Sequence, residues 1–155
     1  MAETTTRHVE SGVARVIGPI YLLLFPIPVV CFIAALVTDI AYAKSAYMMW
    51  LNFSEWLIPA GLLFGVLAAI ALIVEFFASR AIRTGRGWAH LVLFIAALIV
   101  ELFNAFVHTR DGWTAVVPTG MTLSVIGVIL ALAAVATLFM VPVTWVVHRQ
   151  AEVLR

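Results

Sequence analysis

Charge is scarce in this chain. Of its 155 residues, 9 are Lys or Arg and 8 are Asp or Glu, which makes 11% charged, against about 25% in an ordinary soluble domain. The formal net charge of +1 lacks the strong basic bias that nucleic-acid binding calls for. Cysteine is nearly absent too. Cys31 stands alone, so no internal disulfide can form. Without a CxxCH there is no attachment site for a c-type haem. No nucleophile elbow, phosphate loop or HExxH occurs, and the GRG at 85–87 reads as a turn rather than a nucleotide fingerprint. Long polar segments that could build a soluble catalytic domain are also missing, which weighs against an independent enzyme.

What the chain has instead is apolar length: 65% of it is hydrophobic. Four runs are long enough to cross a bilayer, at about 17–43, 55–78, 88–108 and 115–147. The first run is followed by further spans and reads as a retained helix, not a cleaved signal peptide. The expected fold is therefore all-α, an integral-membrane antiparallel four-helix bundle with short loops. The bundle occupies 15–149, between a polar tail at 1–14 and a short tail at 150–155. Pro19, Pro26 and Pro28 should kink the first helix. Asn52 or Ser54 is placed to cap the second. Gly61 and Gly65 form a GxxxG, a close helix contact that serves internal packing or a homodimer face.

Basic residues set the orientation. Arg7, Arg15, Arg80, Arg83, Arg86, Arg149 and Arg155 fall on one side of these spans, against Lys44 and Arg110 on the other. The positive-inside rule then puts both termini in the cytoplasm of a bacterial inner membrane. Trp88 and Trp145 would mark the inner interface, and Trp50, Trp56 and Trp113 the outer one.

Polar residues inside the spans are the functional candidates. On the third run, His90, Glu101, Asn104 and His108 are spaced by 11, 3 and 4 residues, so all four share one helix face. That stripe is about 27 Å long, close to the hydrocarbon thickness of about 30 Å. A charge facing lipid costs about 2.5–3.5 kcal/mol or more, so the stripe should face protein. Tyr21 and Asp39 share a face of the first run with the same 18-residue spacing. Sorted by depth, the polar residues make two groups. Tyr21, Glu75, His90 and His148 fall toward the cytoplasmic side, one from each helix. Asp39, Ser54, Glu55, Glu101, Asn104 and His108 fall toward the outer side.

The inner group suits haem b or a metal ion. His90 would be the primary ligand, His148 or Tyr21 would stand opposite, and Glu75 would orient the histidine. Phe76, Phe77 and Leu91 could provide an apolar slot. The bland alternative is a set of side chains hydrated at headgroup level, with Glu75 snorkelling toward Arg80. The outer group reads as a structural polar network or as a proton path. Three functions follow: a redox-associated subunit of a larger membrane complex, a non-catalytic structural or assembly subunit (or homo-oligomer), and a small proton-coupled transporter.

Three segments, ALVTDIAY (35–42), MMWLNFSEWLIPAGL (48–62) and NAFVHTRDGWTAVVPTGMTLS (104–124), together resemble a bacterial membrane family catalogued as domain of unknown function 2231. The likeness covers about residues 19–148 and implies four membrane helices. It places Asp39 and Glu75 at acidic family positions and matches His90. His148 resembles a family histidine near the end of the last helix, with different flanking residues. The family's opening His-Pro pair is replaced here, where Tyr21 stands in YLLLFPIP (21–28). If the family holds a cofactor through several histidines, the resemblance implies one altered ligand.

Overall fold

The computed structural model describes residues 18–139 apart from Asp111, with the backbone alone at Ala81. Four of its helices are long and apolar enough to cross a membrane: Gly18–Ser45, Met48–Ala78, Gly85–His108 and Trp113–Phe139. The regular part of the first span is α1, Pro26–Ser45. Helix α2 is Met48–Ala78, α3 is Gly85–His108, α4 is the short Trp113–Val116, and α5 is Thr119–Phe139. The expected tails, His148 and the end of the fourth span to 147 lie outside the described residues.

The prolines of the first span do not end its helix. Phe25 is in the right-handed helical region, and its N–H bonds to the Tyr21 carbonyl at 2.8 Å. Pro26 and Pro28 then sit in the first turn of α1, where a missing N–H matters least. The α1–α2 connection is shorter than the expected loop over 44–54. Ala46 adopts the left-handed conformation (φ 53°) and returns its N–H to Tyr42 O at 2.7 Å. After Tyr47, α2 begins at once. Asn52 and Ser54 therefore lie inside α2 and do not cap it. The Ser54 hydroxyl turns back to Trp50 O within its own helix, the usual way a serine is satisfied at an interior position.

Arg83 closes the other end of α2. Its Nε donates to Phe76 O at 2.8 Å and its Nη2 to Phe77 O at 2.7 Å, satisfying two carbonyls that a helix end leaves open. Thr84 caps α3 by accepting from Gly87 N at 3.2 Å. Glycines 85 and 87 accordingly belong to the first turn of α3 rather than to a turn before it. A side chain on Gly87 would collide with the Ile82 carbonyl. Gly112 (φ 57°) makes the last sharp reversal, and Pro118 immediately precedes α5.

The long helices close into a ring in which α1 packs on α2, α2 on α3, α3 on α5, and α5 back on α1. Small residues permit the close approach. A Cβ on Gly61 would run into Phe32 and Cys31 of α1, and one on Gly65 would run into Leu98 of α3. The core between them is Tyr21, Phe25, Phe32, Leu72, Phe94 and Leu98, with alanines 68, 69, 97, 131 and 134. The outside is apolar as well: Leu23, Phe77, Phe103, Phe106 and Ile129 are all exposed. An apolar exterior around an interior that holds the polar groups is what a bilayer demands.

Candidate functional site

Two polar clusters lie inside the ring, one near each end. At one end, Asp39, Ser54, Glu101, Asn104 and Ser124 are all 0% exposed and His108 is 2% exposed. Asp39 comes from α1, Ser54 from α2, and Ser124 from α5; Glu101, Asn104 and His108 come from α3.

Geometry fixes most of the hydrogen positions. His108 Nδ1 lies 3.0 Å from the Asn104 carbonyl, which can only accept, so this nitrogen carries a hydrogen. His108 Nε2 faces Asp39 Oδ1 at 3.0 Å. With Nδ1 already protonated, one proton must lie between these two atoms, as imidazolium and carboxylate or as neutral imidazole and acid. Asp39 Oδ2 accepts from Ser124 Oγ at 2.6 Å. Ser124 Oγ in turn accepts from Asn104 Nδ2 at 2.8 Å, and the same amide nitrogen donates to Glu101 Oε2 at 3.0 Å. The two amide hydrogens thus tie both carboxyl groups into one network. The buried Thr38 and Ser54 make a separate pair: their hydroxyls lie 2.7 Å apart, and Thr38 also bonds to Ala35 O.

Among the described residues, two buried side-chain acceptors have no hydrogen-bond partner, Glu101 Oε1 and Asn104 Oδ1. Glu101 Oε1 occupies the space that a Cβ on Gly127 would take, and His108 Cε1 lies 2.9 Å from the corresponding point on Gly120. Gly127 therefore makes room for Glu101, and Gly120 for His108 and the Ala115 carbonyl. Glu55, expected in this group, is only partly buried and makes no hydrogen bond to the network. Thr38, Ser124, Gly120 and Gly127 were not singled out from the sequence. The spacing of Gly120, Ser124 and Gly127, small residues at steps of 4 and 3, was the available signal for that face of α5.

At the other end, Tyr21 (4% exposed) and His90 (5%) are both buried. His90 Nδ1 lies 2.9 Å from Ala134 O, which makes it a donor, and 2.8 Å from Thr137 Oγ1. Thr137 donates its own hydrogen to Ala134 O at 2.6 Å. In the neutral ring Nε2 is then an acceptor, and it takes the Tyr21 hydroxyl hydrogen. Glu75 does not hydrogen-bond to His90, contrary to expectation. It is half-buried, with Oε1 3.1 Å from the point where a side chain on Gly18 would begin.

This end does not fit haem or a metal ion held by His90. Both ring nitrogens are engaged by protein groups, and among the described residues Phe76 and Phe77 do not form the expected slot beside His90. Phe77 is 73% exposed, Phe76 packs on Trp88 with centroids 4.6 Å apart, and the space beside His90 is filled by Phe25 and Phe94. Among the described residues, no group of three or more His, Cys, Asp or Glu is placed to hold a metal ion. Between the clusters, His90 and Glu101 are separated by about 16 Å of helix. The intervening residues Phe94, Ala97 and Leu98 are buried in the packed core.

Four apolar spans closed around two buried polar clusters make this a multi-pass membrane protein. Residues 18–147 match the family described as "Predicted membrane protein (DUF2231)", and the chain belongs to that family. No curated protein and no solved structure matches it.

Proposed function

We propose that this is a proton-exchanging protein of the bacterial inner membrane, with cytoplasmic termini and its exchange site at the Asp39–His108–Glu101 cluster. The observation that carries the reading is Glu101 Oε1, fully buried and without a donor, in the same network as a carboxyl–imidazole pair. A structural network gains by having every polar group matched, because an unmatched buried acceptor costs about 1–3 kcal/mol. A site that gains and loses a proton must leave an atom available for it. Intramembrane carboxyl and imidazole groups facing the bundle interior are the usual material of proton relays.

The packed core between the clusters supports exchange from one side at a time rather than a continuous wire. Function as a small proton-coupled transporter, or as the proton-handling subunit of a larger membrane complex, follows from the same chemistry. A haem-bearing redox subunit is disfavoured by the engagement of both His90 nitrogens.

Infrared difference spectra of the protein in lipid, taken between acidic and alkaline buffer, test the proposal. A protonated-carboxyl band should appear and vanish with pH, and Glu101→Gln should remove it. A wild-type spectrum without such a band would leave the cluster as structural glue.

A further inference from the structure

We propose that the Glu101 site also takes a small hard monovalent cation, sodium being the fitting size class, in competition with the proton. This rests on the proton-exchange reading above and names a second occupant for the same site. The first argument is charge. The groups facing Glu101 are Asp39 from α1, His108 and Asn104 from α3, and Ser124 from α5. Helix α2 brings no charged partner to Glu101 among the described residues. With one proton between Asp39 and His108, and Nδ1 of His108 also protonated, that pair is neutral overall. An ionised Glu101 then leaves one uncompensated negative charge in a site that is 0% exposed. Buried charge of that kind must be neutralised, and a single positive charge suffices. A divalent ion would overshoot, and no group of three or more His, Cys, Asp or Glu that could hold it occurs among the described residues.

The second argument is the surplus of oxygens. Both unpartnered buried atoms, Glu101 Oε1 and Asn104 Oδ1, are acceptors. The network thus has more acceptors than donors, and the two unmatched atoms belong to side chains that already bond to each other. The Asn104 amide is the adaptable element. Turned over, it presents Oδ1 where Nδ2 now lies, 3.0 Å from Glu101 Oε2 and 2.8 Å from Ser124 Oγ. Carboxylate, amide and hydroxyl oxygens at that separation can share one hard cation. In the arrangement described here the amide hydrogens bridge the same atoms, so one rotation converts a hydrogen-bonded site into a cation site.

The test uses the purified full chain in detergent, with sodium chloride compared against choline chloride at matched ionic strength. Sodium should raise the Tm by several degrees, increasingly with concentration, as for any ligand that binds only the folded state. The rise should be larger in alkaline than in acidic buffer, because protons compete for the same carboxylate. Potassium should give a smaller rise. Glu101→Gln should abolish the sodium response, while Thr137→Val, at the opposite cluster, should retain it. Because Glu101→Gln could fold poorly, retention of radioactive sodium by the wild type at alkaline pH, displaced by acid, gives an independent readout. Equal Tm in sodium and choline at both pH values, or a sodium response that survives Glu101→Gln, overturns the proposal. A pH-dependent carboxyl band without any sodium effect would refute the cation and leave proton exchange standing.

Discussion

The two buried clusters contain similar side chains and differ in how their hydrogen bonds balance. Around Tyr21 and His90 the count closes: the phenol donates to one ring nitrogen, and the other nitrogen donates to a backbone carbonyl and a threonine. Around Asp39 and His108 it does not close, since two acceptors are left over in a site that also holds two carboxyl groups. Burial of a histidine in a membrane bundle is therefore not in itself a sign of chemistry. A closed count describes helix glue, and an open count in a charged site describes a place for something to bind.

The largest effect that separates the clusters should come from removing a histidine at each. His108→Leu leaves Asp39 without its partner. Breaking a buried charge pair this way costs about 3–5 kcal/mol. His90→Leu strands only the Tyr21 hydroxyl, at about 1–3 kcal/mol, since Thr137 still donates to the Ala134 carbonyl. Unfolding in mixed micelles should show His108→Leu as the more damaging change. Equal losses would mean that the two ends are energetically alike and that the comparison fails.

Next in size is the glycine contact. In Gly127→Ala the added methyl would fall on the Glu101 carboxylate, and overpacking of that kind costs about 1–3 kcal/mol. If the clash with Glu101 is the cause, Glu101→Ala in the same chain should relieve it, so the two losses will not add. Strict additivity would place the strain elsewhere. Tyr21→Phe should cost no more, about 1–3 kcal/mol for the stranded His90 Nε2, with the sodium response unchanged. A sodium response lost in Tyr21→Phe would show that the clusters communicate through the core between them.

The spans were legible in the sequence because apolar length is a strong signal and lipid tolerates little else. The stripe on α3 was legible for a related reason: polar residues are rare enough here that their 3.6-residue spacing stands out. What escaped was everything that depends on which neighbour lies opposite. His90 was expected to meet Glu75 because both lie at the same depth, but depth does not fix which way a side chain turns about the helix axis. The ring sets Tyr21 and Ala134 against His90 instead. Asn52 and Ser54 looked like caps because such residues commonly are. Ser54 proved to be an interior serine whose hydroxyl meets Thr38 of the neighbouring helix. Ser124 and Gly127 escaped because a small residue in an apolar helix looks like packing until the carboxylate across from it is known.

The smallest perturbation tests which side of the membrane each cluster faces. In the sequence, seven arginines fall on the Tyr21 side of the spans against Lys44 and Arg110 on the other, and the positive-inside rule predicts that the Asp39 cluster faces outside. Ser45, the last residue of α1 at the Asp39 end, and Thr84, ahead of α3 at the Tyr21 end, are both exposed. Neither contributes to a cluster: Ser45→Cys should leave stability nearly untouched, and Thr84→Cys should cost only the α3 cap, about 0.5–2 kcal/mol. Cys31 is partly buried within α1, and replacing it with serine removes the background thiol. A membrane-impermeant maleimide added to intact cells should then label the Ser45→Cys chain and spare Thr84→Cys until the membrane is opened. The reverse pattern would turn the bundle over. The cluster with unmatched acceptors would then face the cytoplasm, and its proton and sodium would have to come from the cell interior rather than from outside.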